Sequence, residues 1–136
     1  MADLSITAAN VVPGTSAVTV TGTYGETVTA GQCVYKNSTD SEFYKAECDS
    51  TSAKAECYGI ALNGGSNGQP ATVLTKGSVT IGATVAVGTV YVVSATAGGI
   101  APTTDLASTN YVSVIGIGDS TATLKVNINN SGAQKA

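Results

Sequence analysis

The stretch Gly25-Glu-Thr-Val-Thr-Ala-Gly-Gln-Cys-Val-Tyr35 decides the fold predicted for this chain, because its pattern occurs twice. It places a valine between two glycines and then a β-branched run that ends in tyrosine, and Gly82-Ala-Thr-Val-Ala-Val-Gly-Thr-Val-Tyr91 repeats it 57 residues later. Glycine turns the chain at no steric cost, so each copy predicts a turn, one buried valine and a following strand. The repeat residues are Gly25, Val28, Gly31 and Tyr35 in the first copy, and Gly82, Val85, Gly88 and Tyr91 in the second.

The repetition continues downstream of both stretches. Tyr58-Gly-Ile-Ala61 and Ile115-Gly-Ile-Gly118 keep the 57-residue offset. The offset then falls to 51 for Ala71-Thr-Val-Leu74 and Ala122-Thr-Leu-Lys125, because the first copy has an extra loop, Asn63–Gly68. Two repeats are too few for a solenoid, so we interpret them as two lobes of one sandwich or barrel.

Glycine pairs of this kind also occur in loops that bind phosphate. Such a loop needs a following helix, whose N-terminal amides hold the anion, and usually a lysine. Here β-branched residues follow both glycine pairs, and no Gly-Lys-Ser/Thr sequence is present. The pattern therefore favours a structural turn over a phosphate site.

The composition predicts a thin core. At 136 residues the chain has the size of one ordinary domain, but it has no Trp, one Phe and one Met. Small β-branched residues suit pleated sheets yet fill little volume, so we expect part of the stability to come from association. Only 11% of the residues are charged, against about 25% in average domains. This is typical of proteins that pack side by side in many copies, and also of secreted β proteins.

Missing residue types exclude several functions. The chain has neither His, the usual general base and metal ligand, nor Arg, the usual clamp for phosphates. Six lysines against nine acids give a net charge of −3, which argues against nucleic-acid binding. The start of the sequence lacks the pattern of a signal peptide, and no apolar segment has the length of a membrane span. We therefore expect synthesis in a reducing cytoplasm and no membrane partner.

Three cysteines, Cys33, Cys48 and Cys57, are an odd number for a disulfide framework. Buried free thiols are the favoured interpretation, and a Cys48–Cys57 disulfide or a metal site are the alternatives. Five of the nine acids lie between residues 40 and 56, interleaved with Lys45 and Lys54, which is typical of a solvated surface rather than a calcium loop or a glycosidase pair. No catalytic constellation is present, so we expect a protein that is not an enzyme and that holds no cofactor or metal.

The strand and turn pattern predicts a mainly β fold, a small antiparallel barrel or sandwich with at most one short helix at about residues 50–56. Residues 1–14 form an extended N-terminal arm in this interpretation. Residues 15–128 form a single β domain with two related halves, about 15–81 and 82–128. Residues 129–136 form a polar tail.

These motifs carry a resemblance to a known family. The turn stretch at Gly25–Tyr35, the Tyr-Gly-Ile-Ala-Leu sequence ending at Leu62, Gly68-Gln-Pro-Ala-Thr-Val73, and Val85–Pro102 together resemble the small head-decoration (cement) proteins of tailed bacteriophages. The resemblance covers about residues 3–128. It implies a β-rich fold of the tulip or clip kind, and homotrimers that sit on local three-fold axes outside an icosahedral shell and brace the major capsid protein.

The expected function is therefore that of a structural decoration protein on the exterior of the virion. Leu4, Ile6, Val11 and Val12 in the arm are the candidate contacts with the capsid or a subunit, because alternating apolar residues suit strand addition at a sheet edge. Alternatively, the arm completes the protein's own sheet or that of a neighbouring subunit. A different class remains as the alternative function, a receptor- or glycan-binding module of a head fibre or tail, for which six tyrosines would supply exposed aromatic platforms.

Overall fold

The computed structural model describes residues 3–136 and is mainly β, as the sequence predicts. Antiparallel strands curl into a half-barrel, consistent with a small barrel or sandwich. The first five strands are β1 (Val12–Pro13), β2 (Val18–Thr23), β3 (Cys33–Lys36), β4 (Phe43–Lys45) and β5 (Gly59–Ala61). The next five are β6 (Pro70–Thr80), β7 (Val90–Val93), β8 (Ile100–Pro102), β9 (Tyr111–Gly118) and β10 (Thr123–Gln134).

One short α-helix, α1 (Ser52–Ala55), occurs among the described residues, besides single 3₁₀ turns at Ala8–Asn10 and Thr103–Asp105. The hydroxyl of Thr51 caps α1 by accepting a hydrogen bond from the Lys54 amide at 3.3 Å. Ala55 is buried beneath it. The helix predicted at residues 50–56 is therefore confirmed.

The ten strands form one sheet in the order β4-β3-β5-β6-β10-β9-β7-β8, and β1 and β2 both pair with β6. The first half, β3 to β5 with the start of β6, repeats as β7 to β9 with the start of β10. The registers repeat as well, since β3–β4 pairs Val34 with Lys45 and β7–β8 pairs Tyr91 with Pro102, 57 residues on. The change of offset from 57 to 51 is visible where three paired residues lie side by side on neighbouring strands, Cys33–Ile60–Leu74 in the first half and Val90–Ile117–Lys125 in the second. The first two residues of each row are 57 apart from their equivalents, and the third is 51 apart.

The Gly-Ile pairs have a physical cause in this arrangement. A Cβ atom added to Gly59 would lie 2.3 Å from the backbone oxygen of Leu74, and one added to Gly116 would lie 2.1 Å from that of Lys125. Leu74 and Lys125 are themselves 51 residues apart and equivalent. Both glycines are therefore required by the same close approach of two backbones, which supports a duplicated unit.

Strand β6 joins the two halves. Its first part pairs with β5, where Val73 and Leu74 are buried on opposite faces. Its second part pairs with β10, where Val79 faces the core and Ser78 faces outward. Gly77 lies at this change with a φ of 103°, and an added Cβ would lie 2.4 Å from the backbone oxygen of Ser16. Thr75 is the extra residue of β6 opposite β2 at this change, and Gly77 follows it two residues later.

The interior is divided between two clusters. The small core belongs to the first half and consists of Tyr24, Val28, Val34, Phe43, Ala61, Ala71 and Val73, with Tyr58 packed against it. Its equivalents in the second half do not form a separate cluster. They join the main core, where they pack with the opposite face of the first half; the equivalents are Val85, Tyr91, Ile100, Ile115 and Leu124. The two halves therefore pack head to tail, with unlike faces in contact. The face of the first half opposite the small core contacts the face of the second half that is equivalent to the small core.

The extra loop, Asn63–Gly68, covers the small core. The Tyr24 hydroxyl donates to the backbone oxygen of Asn63 at 2.7 Å, and the Val28 amide donates to the Gly65 oxygen at 2.8 Å. Lys36 covers another side, with its Nζ 5.9 Å from the centre of the Phe43 ring. The loop thus closes the end of the first half that has no neighbouring repeat.

Two details of the predicted repeat are wrong. Tyr35 and Tyr91 are not equivalent, because Tyr91 takes the place of Val34 in the register of the strands. The spacing from the second glycine to the tyrosine is one residue shorter in the second copy, which moves the ring to the other face. The first glycines differ as well, since Gly82 has a φ of 74° whereas Gly25 has no positive φ.

The expected polar tail from residue 129 is also different in the structure. Strand β10 continues to Gln134 and pairs with β9 as far as Tyr111. The side chain of Asn130 accepts a hydrogen bond from the Cys57 amide at 2.9 Å and donates one to the Cys57 oxygen at 3.0 Å. Hydrogen bonds of polar groups therefore hold this segment on the domain. A pattern of hydrophobic residues in the sequence does not indicate such bonds.

Candidate functional site: an open sheet face

The outward side of six strands forms one continuous surface, which we call the open face. Paired residues on neighbouring strands point to the same side of a sheet, so the registers define its members. The open face consists of Val12, Val18, Lys76, Ser78, Thr80, Val90, Ile117, Thr123, Lys125 and Asn127. It includes three of the four large hydrophobic side chains that are exposed in the described part of the chain, Val12, Val18 and Ile117.

The same surface is buried in the other half. Ile60 is fully buried in the row that β3, β5 and β6 form, while Ile117, its equivalent, is 48% exposed. The fourth exposed hydrophobic residue, Val87, is 63% exposed and is equivalent to Ala30, which lies in the main core. The duplication thus produces two similar surfaces, of which the chain covers only the first.

A shallow groove of about 390 Å³ lies in the open face between β9 and β10. Its walls are more apolar than polar, and they contain Val114, Gly116, Ile117, Lys125, Asn127 and Asn129. A groove with valine and isoleucine walls and an amide-rich rim suits a protein surface rather than a small charged ligand.

The charge of the open face is opposite to that of the whole protein. Lys76 and Lys125 form no ion pair with any residue between 3 and 136, and β1, β2, β6, β7, β9 and β10 contain no Asp or Glu. The acid nearest in sequence is Asp119, in the turn before β10, where its carboxylate accepts a hydrogen bond from the Thr123 hydroxyl. The other four lysines and the other eight acids lie outside the open face.

The candidate contact residues of the arm lie mostly on their own domain. The Leu4 amide donates to the Ile100 oxygen and the Thr7 amide to the Gly82 oxygen, both at 2.8 Å. Leu4 and Ile6 are half-buried against the main core, and Val11 is buried in it. Val12 alone is well exposed, and it lies on the open face. The structure therefore brings one of the four arm residues to the candidate site.

The repeat valines are buried as predicted. Val28 is 1% and Val85 2% exposed. The Val85 amide donates to the Thr121 oxygen at 2.9 Å, which corresponds to the bond from Val28 to Gly65. Gly31 and Gly88 both have positive φ, 94° and 80°, as the turn requires. Val28 lies in the small core and Val85 in the main core, and neither is part of the open face.

The three cysteines are buried free thiols, as the favoured interpretation predicts. The Cys33 thiol donates to the Gly99 oxygen at 3.2 Å. Contact with the Cys57 thiol, together with burial, raises the pKa of Cys33 well above its usual value, and burial raises the pKa of Cys48 to about 11. The thiols of Cys33 and Cys48 are therefore protonated at neutral pH and unreactive.

The acidic segment is stabilised locally. The Tyr44 hydroxyl donates to the Asp40 carboxylate at 2.6 Å, which lowers the pKa of Asp40 and raises the pKa of Tyr44 to about 12. Lys54 and Glu47 form an ion pair at 3.7 Å. Across residues 3–136, no three His, Cys, Asp or Glu side chains lie together as metal ligands would.

A cavity of about 440 Å³ lies between the arm and the 94–110 region. The Ser94 hydroxyl at its wall donates to the two carboxylate oxygens of Asp3 at 2.7 and 2.8 Å and accepts from the Thr96 amide. A serine held by a carboxylate without an intervening imidazole lacks the base geometry of a nucleophile. The contact instead fastens the start of the arm.

Sequence reasoning missed the open face, although one signal was available. Lys125 stands where the first copy has Leu74, and Ile117 stands where it has Ile60. A lysine at the place of a core leucine shows that this row faces solvent in the monomer.

The structure between residues 3 and 136 contains no helix with the length and apolarity to span a bilayer. No family model, no curated protein and no solved structure matches this chain.

Proposed function

We propose that this protein is a structural decoration protein of a bacteriophage head, which binds the outside of the shell as a homotrimer and braces major-capsid subunits. The sequence resemblance of residues 3–128 supports this proposal. So does the scarcity of charge, since a surface of Thr, Ser and Asn is easily buried against other proteins.

The observation that carries the proposal is the open face. One sheet face keeps Val12, Val18 and Ile117 exposed, beside Lys76 and Lys125, which form no ion pair within residues 3–136. Val12 and Val18 lie at the β1–β2 edge of this face and Ile117 lies on β9, with lysine, serine, threonine and asparagine side chains between them. A surface of mixed apolar and polar composition is typical of the interfaces that proteins form with one another. A protein whose role is to bury surface against copies and partners needs such a face.

The tyrosines favour this function over a glycan-binding module. Tyr24, Tyr35 and Tyr91 are buried, and the other three tyrosines are half-buried. Tyr44 stacks on Tyr35 with the ring centres 5.8 Å apart, and its hydroxyl is bound to Asp40. Sugar-binding sites expose a flat aromatic ring, whereas all six tyrosines here are buried or half-buried.

The test is addition of the purified protein to undecorated shells of the same phage. We expect cosedimentation that saturates at a fixed ratio to the major capsid protein, and a higher melting temperature of the shell. Shells that are already saturated should take up no more protein and serve as the control. Absence of cosedimentation over a range of salt concentrations contradicts the proposal, and binding to glycans without binding to shells favours the alternative.

A further inference from the structure

We infer that the open face binds a second copy of this chain, and that it meets a different surface of that copy rather than the same one. The inference deepens the proposed function, on which it rests, because it names the contact between subunits within the decorating oligomer. Its test needs no shells, so the two proposals fail separately.

The first argument is the internal duplication. The face that contains Ile60 is covered by the second half of the chain, through Val85, Tyr91 and Leu124. The open face is the equivalent surface, with Ile117 at the place of Ile60, Val90 at that of Cys33 and Lys125 at that of Leu74. A surface of this kind therefore already binds a unit of this sequence inside the molecule.

The second argument is charge. The open face carries Lys76 and Lys125 and no acid in its strands, and Asp119 lies at its edge through the bond to Thr123, whereas the rest of the chain has eight acids against four lysines. Two open faces in contact would place lysines opposite lysines, which is unfavourable in a desolvated interface. Contact between the open face of one copy and the acidic remainder of another joins opposite charges. A contact between unlike surfaces closes into a ring when the rotation permits, and a trimer is the smallest ring of more than two copies.

The counter-surface is not the small core. That core lies at the end of the first half and corresponds to the surface that covers Ile60, but the extra loop and Lys36 already occupy it. The exposed acids near α1, Asp49 and Glu56, form no ion pair in the described part of the chain and remain available to a lysine of a neighbouring copy. The contact between copies therefore differs from the contact between halves.

The experiment measures self-association of the purified full chain by sedimentation velocity, from about 1 to about 300 μM, at low and high salt. We expect a reversible oligomer that weakens as salt increases, because added ions screen the attraction between unlike surfaces. Ile117→Thr keeps a β-branched residue in the strand and should weaken the association about tenfold. Lys125→Glu should weaken it by a similar factor, about tenfold, and lose the salt dependence.

Lys135→Glu is the matched control, because it makes the same change of charge on an exposed side chain outside the open face. It should leave the association unchanged. Circular dichroism establishes that each variant is folded. A monomer at every concentration overturns the inference, and so does an oligomer that neither Ile117→Thr nor Lys125→Glu affects. An oligomer that high salt strengthens would show lysines facing lysines and would overturn the contact between unlike surfaces.

Discussion

The substitution of two equivalent isoleucines tests the arrangement of the halves. Ile60 and Ile117 occupy the same place in the two registers, but Ile60 is fully buried and Ile117 is 48% exposed. If the halves pack head to tail, Ile60→Thr and Ile117→Thr should have very different effects on the stability of the monomer.

The magnitude follows from the atoms that change. Threonine replaces one methylene by a hydroxyl and lacks the terminal methyl, so at Ile60 the lost burial costs about 0.8 kcal/mol per carbon. A buried hydroxyl without a partner adds about 1–3 kcal/mol. Two carbons are lost, so we expect Ile60→Thr to lower the free energy of unfolding by about 3–5 kcal/mol. At Ile117 the hydroxyl stays in water, and the change should remain within about 0.5 kcal/mol.

The assay is urea unfolding followed by circular dichroism, at a protein concentration low enough that sedimentation shows a monomer. Both variants keep a residue with high β propensity, so strand formation itself is matched. Equal losses of stability in the two variants would refute the head-to-tail arrangement, because they would place Ile117 in a core. A negligible loss for Ile60→Thr would refute the position of the main core.

Further predictions concern the glycines, a tyrosine and the thiols. Gly59→Ala and Gly116→Ala should each lower the free energy of unfolding, measured in urea, by at least about 2 kcal/mol, because the added Cβ meets a backbone oxygen at both places. The control is Gly64→Ala, which should be close to neutral because that Cβ has no contact under 3.6 Å and Gly64 has no positive φ. Burial raises the pKa of Tyr24 from 10.0 to about 12, so the folded state holds this proton more tightly than the unfolded state. Its contribution to stability is complete below pH 10 and is lost as the pH rises from about 10 to about 12. Tyr24→Phe should flatten that part of the stability curve; an unchanged slope would contradict this cause. The three thiols should react with a disulfide reagent only at the rate of unfolding, and reaction within the mixing time of the native protein would show an exposed cysteine.

Much of the fold could be predicted because the duplication is written in short local signals. The turn glycines, the two valines and the alternating strands each depend on a few neighbouring residues, and the structure confirms a mainly β fold with one short helix. The pairings of Ile60 with Leu74 and of Ile117 with Lys125 show the same fall of the offset from 57 to 51.

What could not be predicted depends on contacts between distant segments. The pairing of residues 129–134 rests on polar bonds such as that of Asn130 to Cys57, 73 residues away, and a polar sequence gives no sign of them. The arm packs on the domain through backbone bonds to Ile100 and Gly82, which no side-chain pattern specifies. The open face depends on which side of each half faces the other, and that choice is made only by packing.

The extra loop has a consequence for how the protein avoids uncontrolled polymerisation. A unit that binds its own kind through unlike faces, and whose rotation does not close, adds copies without limit and forms a fibre. Duplication of such a unit within one chain leaves one uncovered binding surface at each end of the molecule. In this chain they are the small core of the first half, which we call the donor surface, and the open face of the second half. Because Asn63–Gly68 occupies the donor surface of the first half, a second molecule cannot continue the internal series there. The six inserted residues thus prevent further copies from adding at this end. If the loop is shortened to match the second half, we expect the protein to form filaments.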